Sequence, residues 1–355
     1  MFIRLEKRPE PSMTMLVVTP IASVLLTMLI GMVVFDLIGI DGFRAVVDIF
    51  LSPLLTSYKW PDVAVKAAPL VIIALGLAVG NRAQVWNIGA EGQYVIGALC
   101  AAGVGIAFAT TGGFFVVALM VVAGMVGGGA WAAVPAGLRT RFNVNEILSS
   151  LMLTYVALQV LSYLVGGPWK DPNGRNFPAT APLVDSQTLP VWGTSTVHLG
   201  VAVALMLPFV FWFLMTRSVF GFQIRVVGSA PNAARHGGFD GKQTIWLALI
   251  ISGGMAGLAG ALEFVGVLHK MDLGFPSGYG FTAIIVSFLG RLNPIGCLIA
   301  GIVLAVTYVG GQMAQTSVHI PNSTAGIFQA MMLFFILASD ILVRYRVRFV
   351  TKAVA

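Results

Sequence analysis

The chain has 355 residues, of which 57% are hydrophobic and only 10% charged. Counting the 41 glycines raises the apolar share to about 69%, against roughly 45–50% in soluble domains that also carry ~25% charged residues. So little charge cannot cover a water-facing surface, which excludes a soluble enzyme, a nucleic-acid-binding domain and a disordered protein and requires a bilayer.

A helix needs about 20 apolar residues to cross a bilayer, and charge-free runs supply them in chain order. Behind the basic lead of Arg4, Lys7 and Arg8, residues 11–35 read as a retained first helix, too long for a signal-peptide core. Runs over 67–81, 92–138, 147–169, 186–216, 243–262, 273–290 and 292–339 follow. The 92–138 run divides at Thr110-Thr111-Gly112-Gly113, and the 292–339 run divides at a polar patch from Gln312 to Ser323 carrying Gln315, His319, Pro321 and Asn322. That makes about ten transmembrane helices in an all-α, polytopic membrane bundle, a single integral domain over 1–355. Small residues four apart, such as Gly124 with Gly128 and Gly253 with Gly257, suit close helix contacts.

Ten crossings place both termini on one side. If that side is cytoplasmic, 15 Lys and Arg lie inside and 6 outside, the bias that orients membrane proteins. The formal net charge of +7 is then mostly this bias and implies no nucleic-acid partner. The lead (1–12), the connection 217–242 and the tail (344–355) are inside, and the 167–197 loop is outside.

Two segments are short or broken. Residues 67–81 and Tyr279 to Gly290 each fall below a full crossing, and Gly, Asn, Arg or Pro follows each. Interrupted helices in corresponding places in two halves point to a transport path, because non-helical backbone at membrane depth survives only against protein or water. The alternative is an ordinary helix that borrows length from its flank.

Catalytic patterns are absent. The single Gly-Lys pair, Gly241-Lys242, is followed by Gln243 and makes no phosphate-binding loop. His198, His236, His269 and His319 are too scattered for a metal helix, and Cys100 and Cys297 read as small buried hydrophobes. No metal site and no cofactor are expected in this chain, so the energy for any transport comes from an ion gradient or a separate ATPase. Of the acidic residues that adjoin the apolar runs, Glu146 and Asp340 fall near inner ends. Glu91 follows the polar break that runs from Asn81 through Arg82 and Asn87 to Gly89. It either lines a substrate path, with Asn87 and Gln93, or satisfies the broken backbone or Arg82. Glu263 is either an outer-mouth residue or a structural partner. The connection from Arg217 to Lys242 holds Pro231, Asn232, Ala233, Ala234 and Gly237, the pattern of one short helix lying along the membrane.

Four motifs occur in order: Trp86-Asn87-Ile-Gly89-Ala-Glu91-Gly92-Gln93, Arg225-x-x-Gly228 with Ala233-Ala234 and Gly237, Ser252-Gly253 through Glu263, and Gly290-Arg291-x-x-Pro294-x-Gly296. Over roughly residues 60–345 the chain resembles the permease subunit of bacterial ATP-binding-cassette importers for nucleosides and simple sugars, in the branched-chain amino acid and ribose permease superfamily. The resemblance implies a ten-helix fold in the inner membrane and a cytoplasmic ATPase pair that binds ATP and Mg and docks on the loop holding Arg225, Gly228, Asn232, Ala233, Ala234 and Gly237. It also implies a periplasmic or lipoprotein substrate-binding protein and a second permease subunit in a heterodimer. Glu91-Gly92-Gln93 matches the longer of such paired permeases. Other solutes within the class are a pentose, a purine base or a branched-chain amino acid. A gradient-driven secondary transporter and a membrane scaffold are readings from other classes.

Overall fold

A computed structural model describes residues 2–350 except 8–11, 111, 175–176, 194, 320 and 322–323. Arg8, Thr111, Arg175, Asn322, Ser323 and Lys352, named above or counted among the charges, lie outside the described residues.

In chain order the elements are β1 (Phe2–Lys7), α1 (Met13–Leu37), α2 (Gly42–Phe50), α3 (Ser52–Leu55), α4 (Trp60–Arg82), α5 (Ala90–Ala107), α6 (Phe114–Phe142), α7 (Glu146–Gly166) and α8 (Leu199–Arg217). They continue with α9 (Val219–Ser229), α10 (Pro231–His236), α11 (Gly241–Glu263), α12 (Tyr279–Leu289), α13 (Pro294–Ser317), α14 (Thr324–Arg344) and β2 (Tyr345–Val350). Among the described residues nine helices are long and apolar enough to cross a membrane. Helix α12, with 11 residues, is not. β1 pairs antiparallel with β2, Leu5 opposite Val347, so Phe2–Lys7 and Tyr345–Val350 form a ribbon beside the helices. Paired ends lie on one side, and α12 is a shorter apolar helix beside the nine candidate spans.

Helix α11 stands at the centre, against α4, α5 and α6. Glycine permits this: a Cβ on Gly257 would lie 2.8 Å from the Cα of Gly128, and one on Gly124 would lie 2.9 Å from the Gly97 carbonyl oxygen. With no hydrophobic drive between helices in lipid, such close backbone packing holds the bundle together.

The structure adds to or differs from the expectations in three places. Residues 67–81 are not a short segment, because α4 runs for 23 residues and draws Asp62 and Lys66 into its first turns. Lys66 is tolerated there because its Nζ donates to the Tyr279 hydroxyl at 2.7 Å. The α13–α14 division falls beyond Ser317, so Gln312 and Gln315 remain helical. Helices α2 and α3 were not foreseen. The charges of α2 lie on one face, while Ala45, Val46, Ile49 and Phe50 are buried, beside α13. Gln187 and Leu189 lie against the ends of α5 and α11: Gln187 donates to the Gly105 and Phe108 carbonyls, and the Leu189 N–H donates to the Val265 carbonyl.

Candidate functional site

Helix α4 stops where Gln84 takes a left-handed conformation, φ 58°, and Val85 N–H turns back to Gly80. The chain then re-enters the bundle before α5 begins. Asn87 lies at the level of Ser252, midway along α11, and donates to its hydroxyl at 2.9 Å. The Asn87 and Gln93 amides hold each other reciprocally, at 2.7 and 3.0 Å, and Asn87 Oδ1 also accepts the Gly89 N–H. Both side chains are buried, and these bonds satisfy the polar groups that a re-entrant backbone brings to membrane depth.

Glu91, also buried, does not pair with Arg82. Its carboxylate accepts the N–H groups of Gly278 at 3.0 Å and Gly280 at 2.6 Å, at the start of α12. The first N–H groups of a helix have no partner within it, and here a carboxylate from another helix supplies one. Gly280 is needed for the approach, since a Cβ there would run into the Glu91 backbone. The backbone that Glu91 meets belongs to α12 rather than to its own break.

Glu263, the last residue of α11, lies 4.0 Å from Lys66 Nζ. Lys66 also sits over the Tyr279 ring, and Tyr94 stacks on Phe275 with ring centres 5.1 Å apart. These contacts make two separate polar clusters along a column between α4, α5, α11 and α12: Asn87 and Gln93 with Ser252, and Glu91 and Glu263 with the start of α12 and Lys66. Sequence reasoning missed Lys66 and Tyr279. It also missed a neighbouring knot in which Thr282 meets the Tyr308 hydroxyl at 2.9 Å and donates to Gln329 at 3.2 Å. Isolated polar residues within apolar runs were the available sign.

The loop after α8 forms two helices rather than one. On α9, Gly221, Ile224 and Val227 face inward, and Arg225 is exposed. A Cβ on Gly228 would collide with the Arg82 carbonyl, so α9 rests directly on the backbone where α4 ends. On α10, Asn232 and Ala233 are exposed, as is Gly237 beyond its end, whereas Ala234 is buried at 2%. Ala234 packs inside its own chain, and only Ala233 of the pair is exposed. Close by, Glu146 forms an ion pair with Arg139 and accepts the Trp86 N–H at 3.2 Å, tying the α6–α7 turn to the break. Among the described residues no three His, Cys, Asp or Glu side chains come together as metal ligands.

A family model described as branched-chain amino acid transport system, permease component, matches residues 61–337. The chain belongs to this family. It is 35% identical to the glucose ABC transporter permease protein TsgB13 of Haloferax volcanii over 341 residues, 93% of this chain and 89% of the relative. It is 29% identical to the guanosine ABC transporter permease protein NupP of Bacillus subtilis over 292 residues, 80% and 81% of the two chains. NupQ, a second guanosine ABC transporter permease protein of Bacillus subtilis, matches at 29% over 245 residues, 67% of this permease and 76% of the relative. No solved structure matches significantly. The helical bundle described above is therefore that of a membrane permease.

Proposed function

We propose that this permease is the transmembrane subunit of an ATP-binding-cassette importer that moves a nucleoside or a related simple sugar across the inner membrane. The solute class follows the names of relatives similar over most of both chains, a glucose and a guanosine permease. ATP and Mg are bound, and ATP is hydrolysed, by a separate cytoplasmic ATPase; a binding protein delivers solute to the opposite face. Two permease relatives in one organism support pairing with a second, different permease subunit.

The observation that carries the reading is the contact of α9 with the α4–α5 break. Arg225, Asn232, Ala233 and Gly237 are exposed on one elbow, and Gly228 of that elbow touches Arg82. A displacement of the docked ATPase reaches the 83–89 segment through that contact. From there it reaches the Asn87–Gln93 pair and, through Glu91, the start of α12. The column residues act by holding the broken helices in register, and Glu263 with Lys66 anchors the far end. The termini and the elbow are cytoplasmic, in keeping with the 15-to-6 division of basic residues.

Affinity purification of the tagged chain from its native membranes, with proteins identified by mass spectrometry, tests the assembly. An ATPase of this class and a second permease should co-purify in stoichiometric amounts. A chain that purifies alone under gentle solubilisation contradicts the proposal.

A further inference from the structure

On the side opposite the termini, a cavity of about 370 Å³ lies between the outer end of α13 and the segment that joins α2 to α4. Its polar lining is Asp48, Tyr58, Lys59, Gln312, Thr316 and Ser317. None of these belongs to the buried column. Gln312 and Thr316 are exposed although they lie inside a membrane-spanning helix. Polar and ionisable groups within spans face water-filled cavities or protein rather than lipid and mark solute routes. Two other cavities are lined almost wholly by apolar side chains, one between α6 and α11 and one between α1 and α13.

We infer that this cavity is a solute vestibule that takes a neutral, hydroxyl-bearing molecule of nucleoside or monosaccharide size before it enters the bundle. Its volume falls in the range of small-molecule sites, roughly 300–1,000 Å³. The one ammonium that faces it is already paired with Asp62, so no unpaired cation is left to hold an anion, and the Asp48 carboxylate can accept from hydroxyl groups. The Asp48 carboxylate is already set in place, since it accepts the Ser52 hydroxyl at 3.0 Å and the Ser317 hydroxyl at 2.5 Å. The Lys59 ammonium is held at 3.1 Å by Asp62, over the Tyr58 ring. The Gln312 amide offers both a donor and an acceptor, and the Thr316 hydroxyl, which donates to the Met313 carbonyl at 2.8 Å, offers an acceptor, which together suit sugar hydroxyls. Tyr58 adds an aromatic face. The inference rests on the importer reading for the identity of the solute.

The test uses the assembled complex in proteoliposomes, with Cys100 and Cys297 replaced by Ser and single Gln312→Cys or Thr316→Cys substitutions. A small hydrophilic thiol reagent should label both positions. Saturating guanosine or glucose should slow labelling about tenfold, the occupancy expected at ten times the dissociation constant. Labelling that neither solute slows would show only a water-filled notch and overturn the inference. Labelling of the isolated chain but not of the complex would make this face the contact with the second permease, which also overturns it. ATP-driven uptake measured on the same vesicles separates the two claims. Protection without ATP-driven uptake leaves the vestibule standing and removes the importer reading, and uptake without protection does the reverse.

Discussion

The carboxylate of Glu91, near the start of α5, accepts the backbone N–H of Gly280, 189 positions along the chain, at 2.6 Å. Two helices that begin inside the membrane are thereby joined at their starts, and each would otherwise leave donors without partners. Exchanging this carboxylate for an amide presents an N–H donor where only acceptors fit. The variant Glu91→Gln should destabilise the bundle by about 1–3 kcal/mol, the cost of one unsatisfied buried polar group. The midpoint of thermal unfolding of the purified protein in detergent should fall accordingly. An unchanged midpoint with lost uptake would make Glu91 a path-lining residue instead of an anchor.

Gly228 should be the coupling contact. The variant Gly228→Val puts side-chain volume where the Arg82 carbonyl sits and forces α9 away from the break. Binding-protein-stimulated ATP hydrolysis should persist in the reconstituted complex while solute uptake falls. Uptake and hydrolysis that decline in parallel would place the defect in docking rather than in transmission.

The two alanines of α10 should behave differently. The variant Ala233→Trp adds volume on the exposed side of the elbow, and overpacking a fitted interface costs typically 1–3 kcal/mol, about five-fold to over a hundred-fold in affinity. Co-purification of the ATPase should drop while the permease keeps its own stability. The variant Ala234→Trp should instead lower the thermal midpoint of the permease itself, because Ala234 is buried in its own chain. Equal effects of the two variants would contradict the assigned orientation of α10.

Outside the membrane, His198 caps α8 by accepting the Gly200 N–H on Nδ1 at 3.1 Å. Burial, with a smaller contribution from neighbouring His269, lowers its pKa from 6.5 to about 4. A folded pKa below the unfolded one means that the neutral ring stabilises the fold above pH 6.5 and that this stabilisation is lost as the pH falls toward 4. Asparagine is also a good helix cap, so His198→Asn should retain the cap and lose less stability between neutral and acidic pH. Thermal midpoints at the two pH values, compared between wild type and variant, check this. Identical acid losses would show that other groups dominate.

The passages across the membrane were legible because charge is expelled from them, and the break after Arg82 was legible because Asn81, Asn87 and Gly89 cluster there. The partners of the polar residues were not. Asn87 meets Ser252 across 165 positions, and only helix packing selects that hydroxyl among many. The length of α4 was concealed because Lys66 interrupts the apolar run, and its tolerance depends on Tyr279 and Glu263, both far away in sequence. Helix α2 was hidden by the charges on its outer face. The inward turn of Ala234 depends on the angle between α9 and α10, which Pro231 initiates but does not specify.

Accumulation of labelled guanosine in proteoliposomes that hold this chain, its partner permease, the ATPase and the binding protein tests the central claim most directly. Uptake should require ATP inside and binding protein outside, and should continue when ionophores collapse all ion gradients. Uptake by this chain alone that is driven by a gradient and abolished by ionophores would contradict the account.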